Sequence, residues 1–180
     1  MCDHMIVVTG GPGSGKSSVI NAMARRGFLT MPEAGRAIIK DQIRIGGSAL
    51  PWADRTLFAE LMLGRELRSY HEALGMKSPV IMDRGIPDVV GYLTLCGLRV
   101  PAHVEMAAQQ HPYCKRVFLA PYWAEIFARD EERKQDRDEA KTTGQMMAET
   151  YTRLGYEVVE LPLAGVHERV DFIAASLKAP

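Results

Sequence analysis

Short apolar runs rich in β-branched residues alternate along the chain with longer stretches of helical period. The runs predict strands over 5–9, 28–31, 79–82, 116–120 and 157–161. Helical spacing is expected over 15–26, 34–45, 54–74, 87–96, 102–110, an interrupted 123–154, and 166–178. Strands that are apolar on both faces and separated by helices imply βαβ units. The expected fold is therefore α/β, with a mostly parallel sheet covered by helices on both sides in three layers. Within 54–74, the residues Leu57, Phe58, Leu61, Met62, Leu67, Tyr70 and Leu74 form a wide apolar stripe, expected to face the core. Gly46-Gly47-Ser48 with Pro51 predicts a loop between helices. No repeat, linker or low-complexity stretch interrupts the pattern, so residues 1–180 are read as one domain.

The first predicted strand runs directly into Gly10-Gly11-Pro12-Gly13-Ser14-Gly15-Lys16-Ser17, and a helix follows. This is the Gly-x-x-x-x-Gly-Lys-Ser/Thr pattern of a phosphate-binding P-loop in its expected strand-to-helix setting. Glycines leave room for backbone N–H groups to curl around phosphate oxygens, and the helix N-terminus adds positive potential there. Gly11, Pro12, Gly13, Ser14, Gly15, Lys16, Ser17 and Ser18 are the expected triphosphate-binding residues. Lys16 reaches the β- and γ-phosphates in this reading, and the Ser17 hydroxyl ligates Mg²⁺.

Composition narrows the class only slightly. Lys plus Arg and Asp plus Glu both number 22, so the formal net charge is zero, unlike a general nucleic-acid binder. No apolar run approaches the roughly 18 residues of a membrane span. Met1-Cys2-Asp3-His4 lacks the basic-then-apolar order of a signal peptide. The three cysteines, Cys2, Cys96 and Cys114, have no metal-ligand spacing and read as free thiols in a reducing compartment. A cytoplasmic protein without nucleic-acid or membrane partners is expected.

In an open parallel sheet, ligands bind beyond the carboxyl ends of the strands. The third strand ends in Val80-Ile81-Met82-Asp83. A carboxylate there faces Mg²⁺ and the γ-phosphate in P-loop proteins, or else it caps a turn. Arg84 pairs with Asp83, clamps an anion, or is a surface charge. A motor ATPase usually carries Asp-Glu at this point, the Glu polarising water. Arg in that place favours a small-molecule phosphotransferase. The second strand leads into Pro32-Glu33-Ala34-Gly35-Arg36. Glu33 is a candidate base for an acceptor hydroxyl, and Arg36 a candidate acceptor ligand. The bland alternative for Glu33 is a solvated first-turn residue that complements the helix dipole.

Arg129, Arg133 and Arg137 recur every fourth residue and would form one basic stripe on a helix. Arg129 and Arg133 are candidates to stabilise charge on a transferring phosphoryl group. The alternative is a solvated helix screened by Asp130, Asp136 and Asp138. The turn from Pro162 to Val166 offers backbone groups to a nucleobase. No Asn-Lys-x-Asp guanine motif occurs, which favours ATP over GTP.

The P-loop, Pro-Glu-Ala-Gly-Arg, Ile-Met-Asp-Arg-Gly-Ile-Pro-Asp, Arg-Val-Phe-Leu-Ala-Pro-Tyr-Trp and Leu-Gly-Tyr-Glu-Val-Val-Glu-Leu-Pro together resemble a group of small bacterial AAA-domain ATPases. That group is related to the nicotinamide-riboside kinase domain and to nucleoside and nucleotide kinases. The resemblance spans about residues 5 to 178. It implies a five-stranded parallel sheet in the order 2-3-1-4-5 and a helical lid over about 129–145. The reading that follows is an ATP- and Mg²⁺-dependent phosphotransferase acting on a small hydroxyl- or phosphate-bearing, nucleoside-like metabolite. The alternative is a nucleotide-binding switch or slow NTPase acting through a protein partner. A kinase needs an acceptor pocket between 33–60 and 84–110. A switch would pack that region shut or present it outward.

Overall fold

The computed structural model describes residues 4–127 and 137–177. Five strands, β1 (Met5–Gly10), β2 (Leu29–Met31), β3 (Val80–Asp83), β4 (Arg116–Ala120) and β5 (Glu157–Glu160), form one sheet. Every neighbouring pair is parallel, in the order β2-β3-β1-β4-β5. The sequence pattern placed all five strands to within a residue or two. Among the described residues seven helices accompany them: α1 (Lys16–Arg25), α2 (Ala34–Ile45), α3 (Arg55–Leu74), α4 (Ile86–Leu95), α5 (Ala102–Gln110), α6 (Arg137–Arg153) and α7 (Val166–Ser176). None of the described helices is long and apolar enough to cross a membrane.

Strand side chains alternate between faces, and the central strand shows why its sequence is apolar throughout. Met5 and Val7 pack with Leu63, Tyr70, Val89, Val104 and Tyr151 from α3 to α6. Ile6 and Val8 pack on the other face with Val19, Met23, Val170 and Ile173 from α1 and α7. Each fully buried side chain of this kind contributes about 1.5–3 kcal/mol. A third cluster, Ala34, Ile38, Ile39, Leu50 and Phe58, ties α2 to α3 at one side of the sheet.

One sequence expectation needs correction. Of the predicted α3 stripe, Phe58 and Tyr70 are buried, but Leu57, Leu61 and Leu74 are 42%, 37% and 49% exposed. The buried line instead runs through Phe58, Ala59, Leu63, Glu66, Tyr70 and Ala73, so it includes a carboxyl group. The interrupted helical pattern expected over 123–154 is met by α6 among the described residues. Trp123–Phe127 forms turns, in which the N–H groups of Ile126 and Phe127 donate to the Trp123 carbonyl at 3.3 and 3.1 Å. Asp54 caps α3 by accepting from the Leu57 N–H at 2.9 Å, worth about 1 kcal/mol.

Candidate functional site

Because all strands are parallel, their carboxyl ends share one edge of the sheet. Gly10, Met31, Asp83 and Ala120 stand there together. The P-loop wraps from β1 into α1 at the middle of that edge. Gly15 takes a left-handed conformation, φ 81°, that a Cβ would strain. Gly11 lies so close to α6 that a Cβ would sit 2.1 Å from the Ala140 carbonyl oxygen. The N–H groups of Gly13, Ser14 and Gly15 have no hydrogen-bond acceptor among the described residues. Such a concavity of unpaired donors at a helix N-terminus suits an anion. The Ser14 hydroxyl donates to the Gly11 carbonyl at 2.8 Å, and Arg169 Nη1 donates to the Ser14 carbonyl at 2.8 Å. Lys16 is 4% exposed at the start of α1, while Ser17 and Ser18 are exposed on its first turn.

Asp83 ends β3 and is 7% exposed. Its Oδ1 is buried with no hydrogen-bond partner. Burial pushes its carboxyl above the usual range, the nearby Lys16 charge opposes that, and Glu33 adds to it. An oxygen left unpaired inside a protein is costly unless a ligand completes it. Asp83 and the open Ser17 hydroxyl therefore fit a divalent cation held by few protein oxygens. Among the described residues no group of three or more His, Cys, Asp or Glu could hold a metal by itself.

Arg84 follows in the left-handed region, φ 77°, the one described non-glycine residue there. Its N–H still continues the ladder, donating to the Val8 carbonyl at 3.1 Å. The turn aims its guanidinium at two carboxylates: Nε donates to Glu33 Oε1 at 3.2 Å and Nη1 to Asp88 Oδ1 at 2.8 Å. Burial opposes the Arg84 charge, but Glu33 and Asp88 outweigh it and hold its pKa above the ordinary value. Arg84 thus pairs with Glu33 and Asp88. Glu33 occupies the N-cap position of α2, and its side chain is only 9% exposed, so it is not a solvated first-turn residue.

Asp88, on the first turn of α4, is the centre of the network. It accepts from Thr9 Oγ1 at 2.6 Å, Tyr151 OH at 2.7 Å, Arg84 Nη1 at 2.8 Å and the Gly85 N–H at 3.1 Å. One carboxylate therefore joins the end of β1, the β3–α4 turn and α6. Burial and this carboxylate hold the Tyr151 hydroxyl well above its usual pKa, so it stays a donor.

A cleft of ≈ 1170 Å³ opens beside this network between α2, α3, α4 and α6. Glu33, Glu66, Arg84 and Asp88 line its polar end, and Phe58, Met62 and Tyr92 its apolar wall. The structure thus brings Lys16, Asp83, Glu33 and Arg84 to one place. Arg36, one turn along α2, does not line the cleft. Arg129 and Arg133 lie outside the described residues. The described part of the expected lid, residues 137–145, is the first half of α6 and packs on the P-loop at Gly11.

Three residues in and around the site were missed from the sequence. Asp88 sits in Gly85-Ile86-Pro87-Asp88, where a Pro and an acid in the first turn signal a helix start. Glu66 interrupts the series Phe58, Met62, Tyr70 at four-residue spacing, a charge in the middle of an apolar line. Arg169 carries no local signal. It is 1% exposed on α7, lies 5.1 Å over the Trp123 ring, and donates to the Pro162 carbonyl at 2.9 Å. It thereby holds the turn expected to meet a nucleobase against the P-loop.

A search of curated proteins found no relative of the sequence. Among solved structures, a deoxyadenosine kinase from M. mycoides superimposes with a TM-score of 0.70 at 13% identity, covering 96% of this chain and 98% of that one. A NadR protein in complex with NR gives 0.67 at 14% identity over 99% of this chain and 52% of that one. A thymidylate kinase from Ehrlichia chaffeensis gives 0.65 at 13% identity over 99% and 100%. At these identities the likeness establishes a P-loop kinase-like fold. The profile of an AAA-domain family matches residues 5–169, and the chain belongs to that family.

Proposed function

We propose that the chain is an ATP-dependent phosphotransferase acting on a small hydroxyl- or phosphate-bearing, nucleoside-like metabolite. The observation that carries this reading is the open ≈ 1170 Å³ cleft whose polar end holds Glu33, Arg84 and Asp88 beside the P-loop. It lies between the segments where an acceptor pocket is required, whereas a pure switch needs no such cavity. The neighbouring deoxyadenosine and thymidylate kinases support the same class.

In this reading the loop amides and Lys16 hold the triphosphate. Ser17 and Asp83 would hold Mg²⁺, which when bound neutralises charge on the phosphate oxygens. Glu33 receives the proton of the acceptor oxygen as that oxygen bonds to the γ-phosphorus. The bond from that phosphorus to the bridging oxygen breaks, and ADP leaves. Arg84, paired with Glu33 and Asp88, keeps Glu33 oriented. Arg129 and Arg133 would stabilise charge on the transferring phosphoryl group.

The test is a metabolite-library screen for ATP-dependent ADP release. An acceptor is expected, and Glu33→Gln is expected to abolish transfer to it with ATP affinity within about threefold of the parent, measured by calorimetry. Full transfer by that variant would remove Glu33 from the role of base. ADP release that no added metabolite stimulates would favour a slow ATPase.

A further inference from the structure

The cleft contains a group that phosphate handling does not use. Glu66 stands on α3 in line with Phe58, Met62 and Tyr70, where an apolar side chain would complete the core. It is 5% exposed, and its carboxyl makes no hydrogen bond and no ion pair among the described residues. What surface it retains lines the cleft. A buried carboxyl without a partner is costly, and the cost is removed when a ligand supplies the partner. Burial first, and then the Asp88 carboxylate, hold its pKa well above the usual range. Burial favours the uncharged acid, which can both donate and accept a hydrogen bond.

Among the described residues, the charges lining the cleft are weighted against an anion. Carboxylates line the cleft from Glu33, Asp88, Asp138 and Glu139, against guanidiniums from Arg55 and Arg84. Arg84 is committed to Glu33 and Asp88. Arg55 is exposed, and its Nε donates to the Pro51 carbonyl at 3.0 Å. Among these described residues a phosphate or carboxylate on the acceptor would meet more like charge than opposite charge. The opposite wall is apolar: Phe58 and Tyr92 meet edge to face with centroids 5.4 Å apart, and the Met62 and Met147 side chains flank the space. Such walls suit a flat ring.

We propose that Glu66 reads the acceptor, and that the acceptor is a ring-bearing hydroxyl compound without phosphate or carboxylate, presenting a second hydroxyl or an N–H group to this residue. The inference rests on the phosphotransfer reading and narrows it, because a monophosphate acceptor is excluded.

The test uses the full chain with Mg²⁺ and a non-hydrolysable ATP analogue. Adenosine, cytidine and glucosamine are each titrated by calorimetry against their own monophosphates, and ADP formation from ATP is followed in parallel. At least one parent compound is expected to bind about tenfold or more tightly than its monophosphate. Glu66→Gln, which keeps both a donor and an acceptor, is expected to hold that affinity within about threefold. Glu66→Leu and Glu66→Asp are each expected to weaken it about tenfold. The Asp variant serves if the Leu variant does not fold. The proposal is overturned if a monophosphate binds as tightly as its parent, if no parent binds, or if removing or shortening the Glu66 carboxyl leaves affinity unchanged. Selective binding without ADP formation would support the acceptor class and sink phosphotransfer. ADP formation on a monophosphate would do the reverse.

Discussion

Asp88→Ala is expected to be among the most damaging single substitutions in this protein, although Asp88 stands outside the phosphate loop. The carboxylate is 6% exposed and accepts from four donors, on Thr9, Arg84, Gly85 and Tyr151. Truncation strands a buried N–H and two hydroxyls, each costing about 1–3 kcal/mol if left unpaired, though rotation of the hydroxyls recovers part of that. It also leaves the Arg84 guanidinium with Glu33 alone. Breaking a buried ion pair from one side costs about 3–5 kcal/mol, and the lower end applies because Glu33 remains at 3.2 Å. These terms share partners and do not add, so the expected loss is about 3–5 kcal/mol. Urea denaturation at neutral pH measures it, with an unchanged m-value as the check that both variants unfold alike. A double-mutant cycle with Arg84→Ala should give a coupling of about 1–3 kcal/mol. A loss below about 1 kcal/mol for Asp88→Ala, or no coupling, would refute the reading of Asp88 as the anchor that keeps Arg84 in its left-handed turn.

Gly11→Ala places a Cβ 2.1 Å from the Ala140 carbonyl oxygen and 3.0 Å from its carbon, so α6 must move. A loss of about 1–3 kcal/mol in thermal denaturation is expected, and a melting temperature within about 1 °C of the parent would show that the contact yields freely. Glu66→Gln should raise stability at neutral pH. A carboxyl whose pKa is raised by folding stabilises the native state fully below its unfolded value of about 4.5 and loses that contribution as pH rises through the folded value. Each tenfold change in proton affinity is worth about 1.4 kcal/mol. The stability gap between variant and parent should therefore widen as pH rises above about 4.5 and close towards it; a gap independent of pH would contradict the assignment.

The sequence made the sheet legible because its strands are buried on both faces. Val80-Ile81-Met82 and Val7-Val8 have no polar side to confuse the period. The P-loop was legible because its spacing is set by backbone geometry that few other residues satisfy. Glu33 and Asp83 could be singled out because ligands of parallel sheets bind beyond the strand ends. What escaped was set by tertiary pairing. Arg84 has three bland local readings, and only the fold shows it between Glu33 and Asp88, 51 and 4 residues away. The α3 stripe misled because every Leu at helical spacing was counted as core. The helix is rotated so that Leu57 and Leu61 face outward and Glu66 faces in.

The hydrogen bond from Arg169 to the Ser14 carbonyl closes a loop of 155 residues. Contacts of such separation require the intervening chain to be ordered first, and they form late in folding. The glycine-rich segment therefore has its chemistry written at the start of the chain but takes its finished shape only when α7 has docked. Nucleotide binding is expected to be acquired near the end of folding and to be among the first properties lost when α7 detaches, before the central sheet opens.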